Sequence, residues 1–261
     1  MVRGLDLFRQ RFRRFEGSFV LIGGAACDEW FTSLGLVFRA TRDLDIVLII
    51  EVLAAEAVSG LRAFIAEGGY EIRQRTTGTP VLYRFAKPAK AEFPFMLEFF
   101  SRRPDGLLLG SNQEVTPVPA GADHHSLSAI LVDEDYYSLI QTHKTVREGL
   151  PFATATSLIP LKARAWLELT KRKAEGQDID SKDIAKHRSD VFRLAGTLPE
   201  AAGPQLAPAV TDDLVQFLRA FPENSPEWAA VLASVKNSLG GGIRAATLRS
   251  AIQTFFRLPT E

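Results

Sequence analysis

Residues 19–50 read FVLIGGAACDEWFTSLGLVFRATRDLDIVLII, and the reading of this stretch decides the fold. It opens on a short buried strand, SFVLI from Ser18, and turns at Gly23-Gly24. A helix of about three turns closed by Gly35 follows. Thr41-Arg42 then leads into a second β-prone run, DLDIVLII. Successive side chains on a strand alternate, so Asp43 and Asp45 share one face and Leu44 points to the other, into the core. The apolar flanks set the register of that strand and preorganise the two carboxylates. A glycine pair at the end of the neighbouring strand lets a ligand or backbone approach closely. Together these features form the pattern of a metal-and-phosphate site.

Outward from this stretch, residues 4–16 read as an amphipathic helix whose apolar face carries Leu5, Leu7, Phe8, Phe12 and Phe15. Residues 52–67 have helical spacing and stop at Gly68-Gly69, while Tyr70–Arg75 and Val81–Phe85 form a hairpin around a turn at Thr76–Pro80. PFMLEFF (94–100) is a strong strand with Glu98 as its single charge. Residues 101–125 are loop-like, LSAILV (127–132) is a strand, 133–149 a short helix and Leu150–Ala153 a further strand. From Ser157 onward every segment is helical: SLIPLKARAWLELTKRKAEG, KDIAKHRSDVFRLAG, DDLVQFLRAF, EWAAVLASVKNSLG and IRAATLRSAIQTFF. The expected class is α/β (α+β), with a mixed-sheet domain over 1–155, an all-helical domain over 156–261 and the site between them.

The bulk properties exclude several function classes. Thirty-one basic and 31 acidic residues cancel over 261 positions, so no global charge points to nucleic acid or a membrane. The single cysteine, Cys27, excludes an intrachain disulfide and a cysteine-based zinc site and suits a reducing cytoplasm. No apolar run has the form of a signal peptide or the length of a membrane span.

Phosphoryl and nucleotidyl transfer needs oxygen ligands on rigid elements, and two carboxylates clamp a divalent ion against the phosphates. Asp43 and Asp45 have that spacing. Glu98, within an apolar strand, must be paired or metal-bound if it faces inward. On spacing alone the alternative stays open: Asp43 caps the strand, Asp45 pairs with Arg42, and Glu98 points outward. His124-His125 beside Asp123 reads as loop, Cys27 as packed and inert, and Asp133, Glu134 and Asp135 as the acidic start of a helix.

LIGGAACDEWF…TRDLDIVLI resembles the GG-x(n)-D-x-D signature of the polymerase-beta-type nucleotidyltransferase superfamily. The order glycine pair, helix, [S/T]-x-D-x-D resembles the abortive-infection toxin nucleotidyltransferases of the AbiEii type, and also antibiotic nucleotidyltransferases such as the lincosamide enzymes. The resemblance covers 19–50, 94–100 and 157–190. It implies that Gly23 and Gly24 form the nucleotide-binding turn and that Asp43 and Asp45 bind metal. The third carboxylate falls at Glu98, where many members carry Asp. SLIPLKARAWLELTKRK and DSKDIAKHRSD resemble the helical part, which implies Lys162 near the nucleotide and Asp183 (after Lys182) in a downstream segment.

The expected activity is transfer of a nucleoside monophosphate from an NTP to a hydroxyl, with Mg²⁺ (or Mn²⁺) and release of pyrophosphate. Asp43, Asp45 and Glu98 hold the metal, Glu98 also favouring deprotonation of the acceptor; Gly23, Gly24, Thr41, Arg42, Lys162 and Asp183 meet the nucleotide, Lys162 also offsetting charge in the transition state. The acceptor is RNA such as a tRNA end, a protein hydroxyl or a small molecule, and the family implies an antitoxin partner. A basic strip near the cleft from Arg39, Arg42, Lys162, Lys171, Arg172, Lys173 and Lys182 would favour RNA, an acidic closed pocket a cationic drug, and the balanced total charge does not decide between them. The competing expectations are an antibiotic-modifying enzyme and a degenerate module that binds a nucleotide without turnover.

Overall fold

The structure, a computed structural model, describes residues 2–74, 80–105, 115–118 and 128–259. The expected turn at Thr76–Thr79, with Arg75 before it, and the Asp123-His124-His125 loop lie outside the described residues. The chain divides into two units: Met1–Glu29 with Ala40–Ala153, and Trp30–Arg39 with Thr154–Glu261. The sequence boundary falls close to this division. The placement of Trp30–Arg39 in the helical unit is a tertiary fact that a contiguous boundary misses.

The first unit is built on a mixed sheet. Its strands are β1 (Phe19–Ile22), β2 (Asp43–Leu48), β3 (Glu71–Gln74), β4 (Pro80–Ala86), β5 (Met96–Ser101), β6 (Val115–Pro117), β7 (Ser128–Leu131), β8 (Lys144–Arg147) and β9 (Leu150–Ala153). The main order is β3-β4-β5-β2-β1-β9-β8, with β7 beside β5 and β6 beside β7. β1 and β2 are antiparallel, whereas β2–β5 and β1–β9 are parallel. Every residue of β1 and β9 is buried, as strands covered on both faces require. β2 alternates at its start, with Leu44 fully buried between the less buried Asp43 and Asp45.

Helices α1 (Leu5–Phe12), α2 (Gly23–Ser33), α3 (Ala55–Gly68) and α4 (Glu134–Thr142) accompany the sheet, α2 running past Glu29 into the second unit. α1 buries Leu5, Phe8 and Phe12, and a single-turn 3-10 helix continues it over Arg13–Phe15. Phe8 and Phe12 meet Phe19 of β1 and Phe64 of α3 in edge-to-face contacts. This aromatic cluster anchors the strand that precedes the glycine pair. Full burial of each such ring is worth about 1.5–3 kcal/mol.

The expected helix over 133–149 is two elements. Asp133 caps α4 by accepting from the Asp135 N–H, the helix ends at Thr142, and Lys144–Arg147 form β8. Glu148 and Gly149, with φ of 55° and 76°, make the two-residue turn into β9. A positive φ at both central positions is what a tight hairpin needs, and it overrides helical periodicity. Residues 37–40, expected to be extended, form no regular element.

The second unit holds α5 (Ala155–Ala174), α6 (Ser181–Ala195), α7 (Pro208–Arg219), α8 (Trp228–Leu239) and α9 (Ala245–Phe255). α5 starts two residues ahead of the expected Ser157 cap, and the Asp180 side chain caps α6 by accepting from the Lys182 N–H. α7 begins at Pro208 rather than after Thr211, because proline at the first helical position is preorganised for the helix. Trp166, Phe192, Phe217, Phe221 and Trp228 pack into one aromatic core, with centroid separations such as 4.7 Å for Phe192–Trp228.

Candidate active site in the sheet unit

Strand register assembles the site. Ile22 of β1 pairs with Asp45 of β2, Asp45 with Glu98 of β5, and Glu98 with Arg84 of β4. Residues paired across neighbouring strands lie on one face. Asp45, Glu98 and Arg84 therefore form a row of charges, with Asp43 two residues along β2. None of these separations along the chain is local; the sheet alone brings them together.

The glycine pair lies in the first turn of α2 rather than in a turn before it. Gly23 has φ +65°, a left-handed conformation that an L side chain adopts at a cost. A Cβ at Gly23 would lie 1.7 Å from Asp45 Oδ2, and one at Gly24 would lie 2.4 Å from Thr41 Oγ1. The space beside these glycines is thus filled by the Asp45 carboxylate and the Thr41 hydroxyl. The carboxylate sits over the N-terminal turn of α2, where the helix dipole favours negative charge.

Asp43 and Asp45 differ in their surroundings. Asp43 Oδ1 is buried and accepts no hydrogen bond. Buried polar atoms are rarely left so, and an orphaned carboxylate oxygen on a rigid strand suits a hard cation. Glu98 is only 7 % exposed. Burial pushes its carboxyl above the usual range; Arg84 opposes the shift, and the charges of Asp45 and Asp43 add to it. Arg84 Nε donates to Glu98 Oε1 at 2.6 Å, and the Arg84 Nη2 atom closes on the same oxygen. Arg84 is the participant that the sequence leaves unmarked, since nothing in VLYRFAKP singles it out; the β4–β5 register does.

The residues present fit one divalent cation at Asp43 and Asp45, as the orphaned Oδ1 indicates. Among the described residues, no group of three or more carboxylate, imidazole or thiol side chains is placed to hold a metal ion. Arg42 is exposed, its guanidinium 4.4 Å from the Phe95 ring centroid.

The remaining expected site residues belong to the helical unit. Lys162 on α5 is 4 % exposed, and its Nζ lies 3.7 Å from Asp190 Oδ2. Asp190, fully buried on α6, receives Arg39 Nε at 2.9 Å, Arg39 Nη2 at 2.6 Å and Arg193 Nη1 at 2.8 Å. Hydrogen bonds from Arg39 and the charges of Lys162, Arg39 and Arg193 outweigh desolvation and hold the Asp190 carboxyl below its ordinary range. The strip expected to favour RNA therefore loses Arg39 and Lys162 to an internal ion-pair cluster. Lys171 is exposed and 4.0 Å from Glu175, Arg172 bonds to Gln177, and Lys173 to Ser181. Asp183, exposed in the first turn of α6, pairs with Lys186 at 3.7 Å. Lys186 therefore pairs with Asp183 and not with Asp190, one turn further on, which faces Arg39 and Arg193.

Cys27 and Phe31 are fully buried, and Trp30 Nε1 donates to Thr197 Oγ1 at 2.9 Å. No helix of the described residues is long and apolar enough to cross a membrane.

No protein-family model matches the chain, and no curated protein matches it. Among solved structures, an antigenic nucleotidyltransferase-like protein from Paracoccidioides brasiliensis is similar at a TM-score of 0.42 and 14% identity, over 87% of this chain and 89% of that one.

Proposed function

We propose that the sheet unit is a metal-dependent nucleotidyltransferase centre, moving a nucleoside monophosphate from an NTP to a hydroxyl acceptor with release of pyrophosphate. One observation carries the reading: two carboxylates share a face of β2, one with a buried oxygen that accepts no hydrogen bond, the other seated over the first turn of α2. A bound Mg²⁺ or Mn²⁺ would polarise the phosphates and offset charge developing in transfer. Asp43 and Asp45 would hold that ion. Leu44 and the buried β1–β2 ladder fix both carboxylates, so no reorganisation is needed on binding. The exposed Arg42 guanidinium, beside Asp43 in the chain, is available to an incoming phosphate.

Within this reading the acceptor class is RNA or a protein hydroxyl, as in toxin-like enzymes of the AbiEii type, with an antitoxin as regulatory partner. A second reading, nucleotide binding without turnover, is favoured by one observation: Arg84 already occupies Glu98, the position of the third carboxylate.

The test is incubation of the full chain with each α-labelled NTP, Mg²⁺ or Mn²⁺, and a cell extract divided into RNA and protein. Labelling that disappears in Asp43→Asn and Asp45→Asn supports transfer. Labelling that survives both substitutions sinks it. Nucleotide binding with no labelled product supports the second reading instead.

A further inference from the structure

Arg84 has a consequence for how many ions the centre takes. We infer that Arg84 is the built-in counter-ion of Glu98, so that the centre binds a single divalent cation, on Asp43 and Asp45, with Glu98 withheld from metal ligation. The inference rests on the metal-binding reading above.

Three observations carry it. The first is register: Arg84 stands directly opposite Glu98 on the neighbouring antiparallel strand, on the face that Asp45 shares. The second is the contact itself, in which Nε at 2.6 Å and Nη2 both address Oε1. A guanidinium remains charged at any working pH and presents its donors in a rigid fork, which makes it a permanent partner. The third is the distribution of unmet demand. Glu98 is buried but paired, whereas Asp43 Oδ1 is buried and accepts no hydrogen bond. The demand for a cation therefore lies on β2 and not on β5.

Charge balance agrees. Among these four side chains, Asp43, Asp45 and Glu98 set three negative charges against the positive charge of Arg84. One divalent ion cancels the remainder in the nucleotide-free protein. A second ion would need to displace a guanidinium from a buried carboxylate, which leaves that guanidinium unpaired or drives it toward solvent.

The experiment is a Mn²⁺ titration of the full chain without nucleotide, read by the free-ion electron paramagnetic resonance signal. The wild type is expected to bind one Mn²⁺ per chain, lost in Asp45→Asn. Glu98→Gln, which leaves the Arg84 charge uncompensated, is expected to weaken binding by repulsion, whereas the Arg84→Gln/Glu98→Gln double variant, which removes both charges, is expected to bind one Mn²⁺ with near wild-type affinity. Arg84→Gln frees Glu98 and is expected to add a second ion or to tighten binding on the order of tenfold, a gain that the Arg84→Gln/Glu98→Gln double variant removes. Arg84→Lys keeps the charge and is expected to keep the single-ion stoichiometry.

A loss of affinity on the order of tenfold in the Arg84→Gln/Glu98→Gln double variant would show that Glu98 is a ligand and overturn this inference alone. An unchanged titration in a folded Arg84→Gln variant would also overturn it. If Arg84→Gln alone fails to fold, the double variant, which leaves neither charge unpaired, decides the matter by itself. Absence of any Mn²⁺ binding sensitive to Asp45→Asn would overturn the inference and the functional reading together.

Discussion

Replacing Gly23 by Ala isolates the reason for the glycine pair. An added Cβ would lie 1.7 Å from Asp45 Oδ2 and 2.7 Å from its Cγ, on a residue whose φ is +65°. Two costs follow. The left-handed backbone costs about 1–2 kcal/mol for any residue with a Cβ. Displacing the Asp45 carboxylate costs about 0.5–1.5 kcal/mol in rotamer strain, and loss of its place at the helix N-terminus adds about 0.3–1 kcal/mol. The expected total is roughly 2–4 kcal/mol. Only the second cost depends on Asp45. An Asp45→Ala background removes the two nearest of these atoms and leaves the Asp45 Cβ position, 3.0 Å from the new methyl. Gly23→Ala should there cost about 1–2 kcal/mol, a coupling of about 1–2 kcal/mol between the two positions. Urea unfolding reads the cost cleanly, because the four tyrosines lie in the sheet unit and the three tryptophans in the helical unit. The sheet unit is followed by tyrosine near-ultraviolet circular dichroism. An equal cost in the two backgrounds would refute the idea that Gly23 exists to admit the Asp45 carboxylate.

Two further outcomes concern the helical unit, followed by tryptophan fluorescence. Asp190→Asn removes the buried negative charge that Arg39, Arg193 and Lys162 share and should destabilise the unit by about 3–5 kcal/mol; a loss below about 1 kcal/mol, the worth of a surface pair, would mean the cluster is not electrostatically organised. His187 lies beside Asp190, and burial, reinforced by Lys162 and Lys186 and by Arg39 against the opposing Asp190, lowers its pKa from 6.5 to about 3. A depressed pKa means that the unfolded chain takes up a proton that the folded chain refuses, so His187 stabilises fully above pH 6.5 and loses that contribution as pH falls toward 3. Within that window the loss approaches about 1.4 kcal/mol per pH unit. His187→Gln should flatten the slope of urea midpoints between pH 7 and about 5, and an unchanged slope would assign the acid sensitivity elsewhere.

Much of the sheet unit is legible locally. Apolar runs with β-branched residues in β1 and β2 and aromatic residues in β5 mark these strands, and the strict alternation Asp43-Leu44-Asp45 assigns each side chain to a face from the two-residue period alone. The helices from α5 onward follow from caps and periodicity, because both are set by neighbours three or four residues away. Tight turns hide more easily: Glu148-Gly149 reads as the end of a helix until its positive φ values show a hairpin. The acidic and basic residues of α6 show the same limit. Lys186 and Asp190 are spaced to pair on a helix, yet Asp190 is taken by Arg39, distant in the chain, because a buried carboxylate demands the stronger bidentate partner.

The sequence by itself determined the face shared by Asp43 and Asp45, since the two-residue period of a strand needs nothing beyond the strand. It also determined that a glycine pair must precede them. Only the tertiary structure decided what those residues meet. It filled the space beside Gly23 with a carboxylate and beside Gly24 with a hydroxyl, gave Glu98 an arginine partner from β4, and turned Lys162 inward onto Asp190. Each of these is a contact between segments far apart in the chain. Its existence depends on strand order, register and helix packing, and on which charges burial forces to pair, none of which local periodicity encodes.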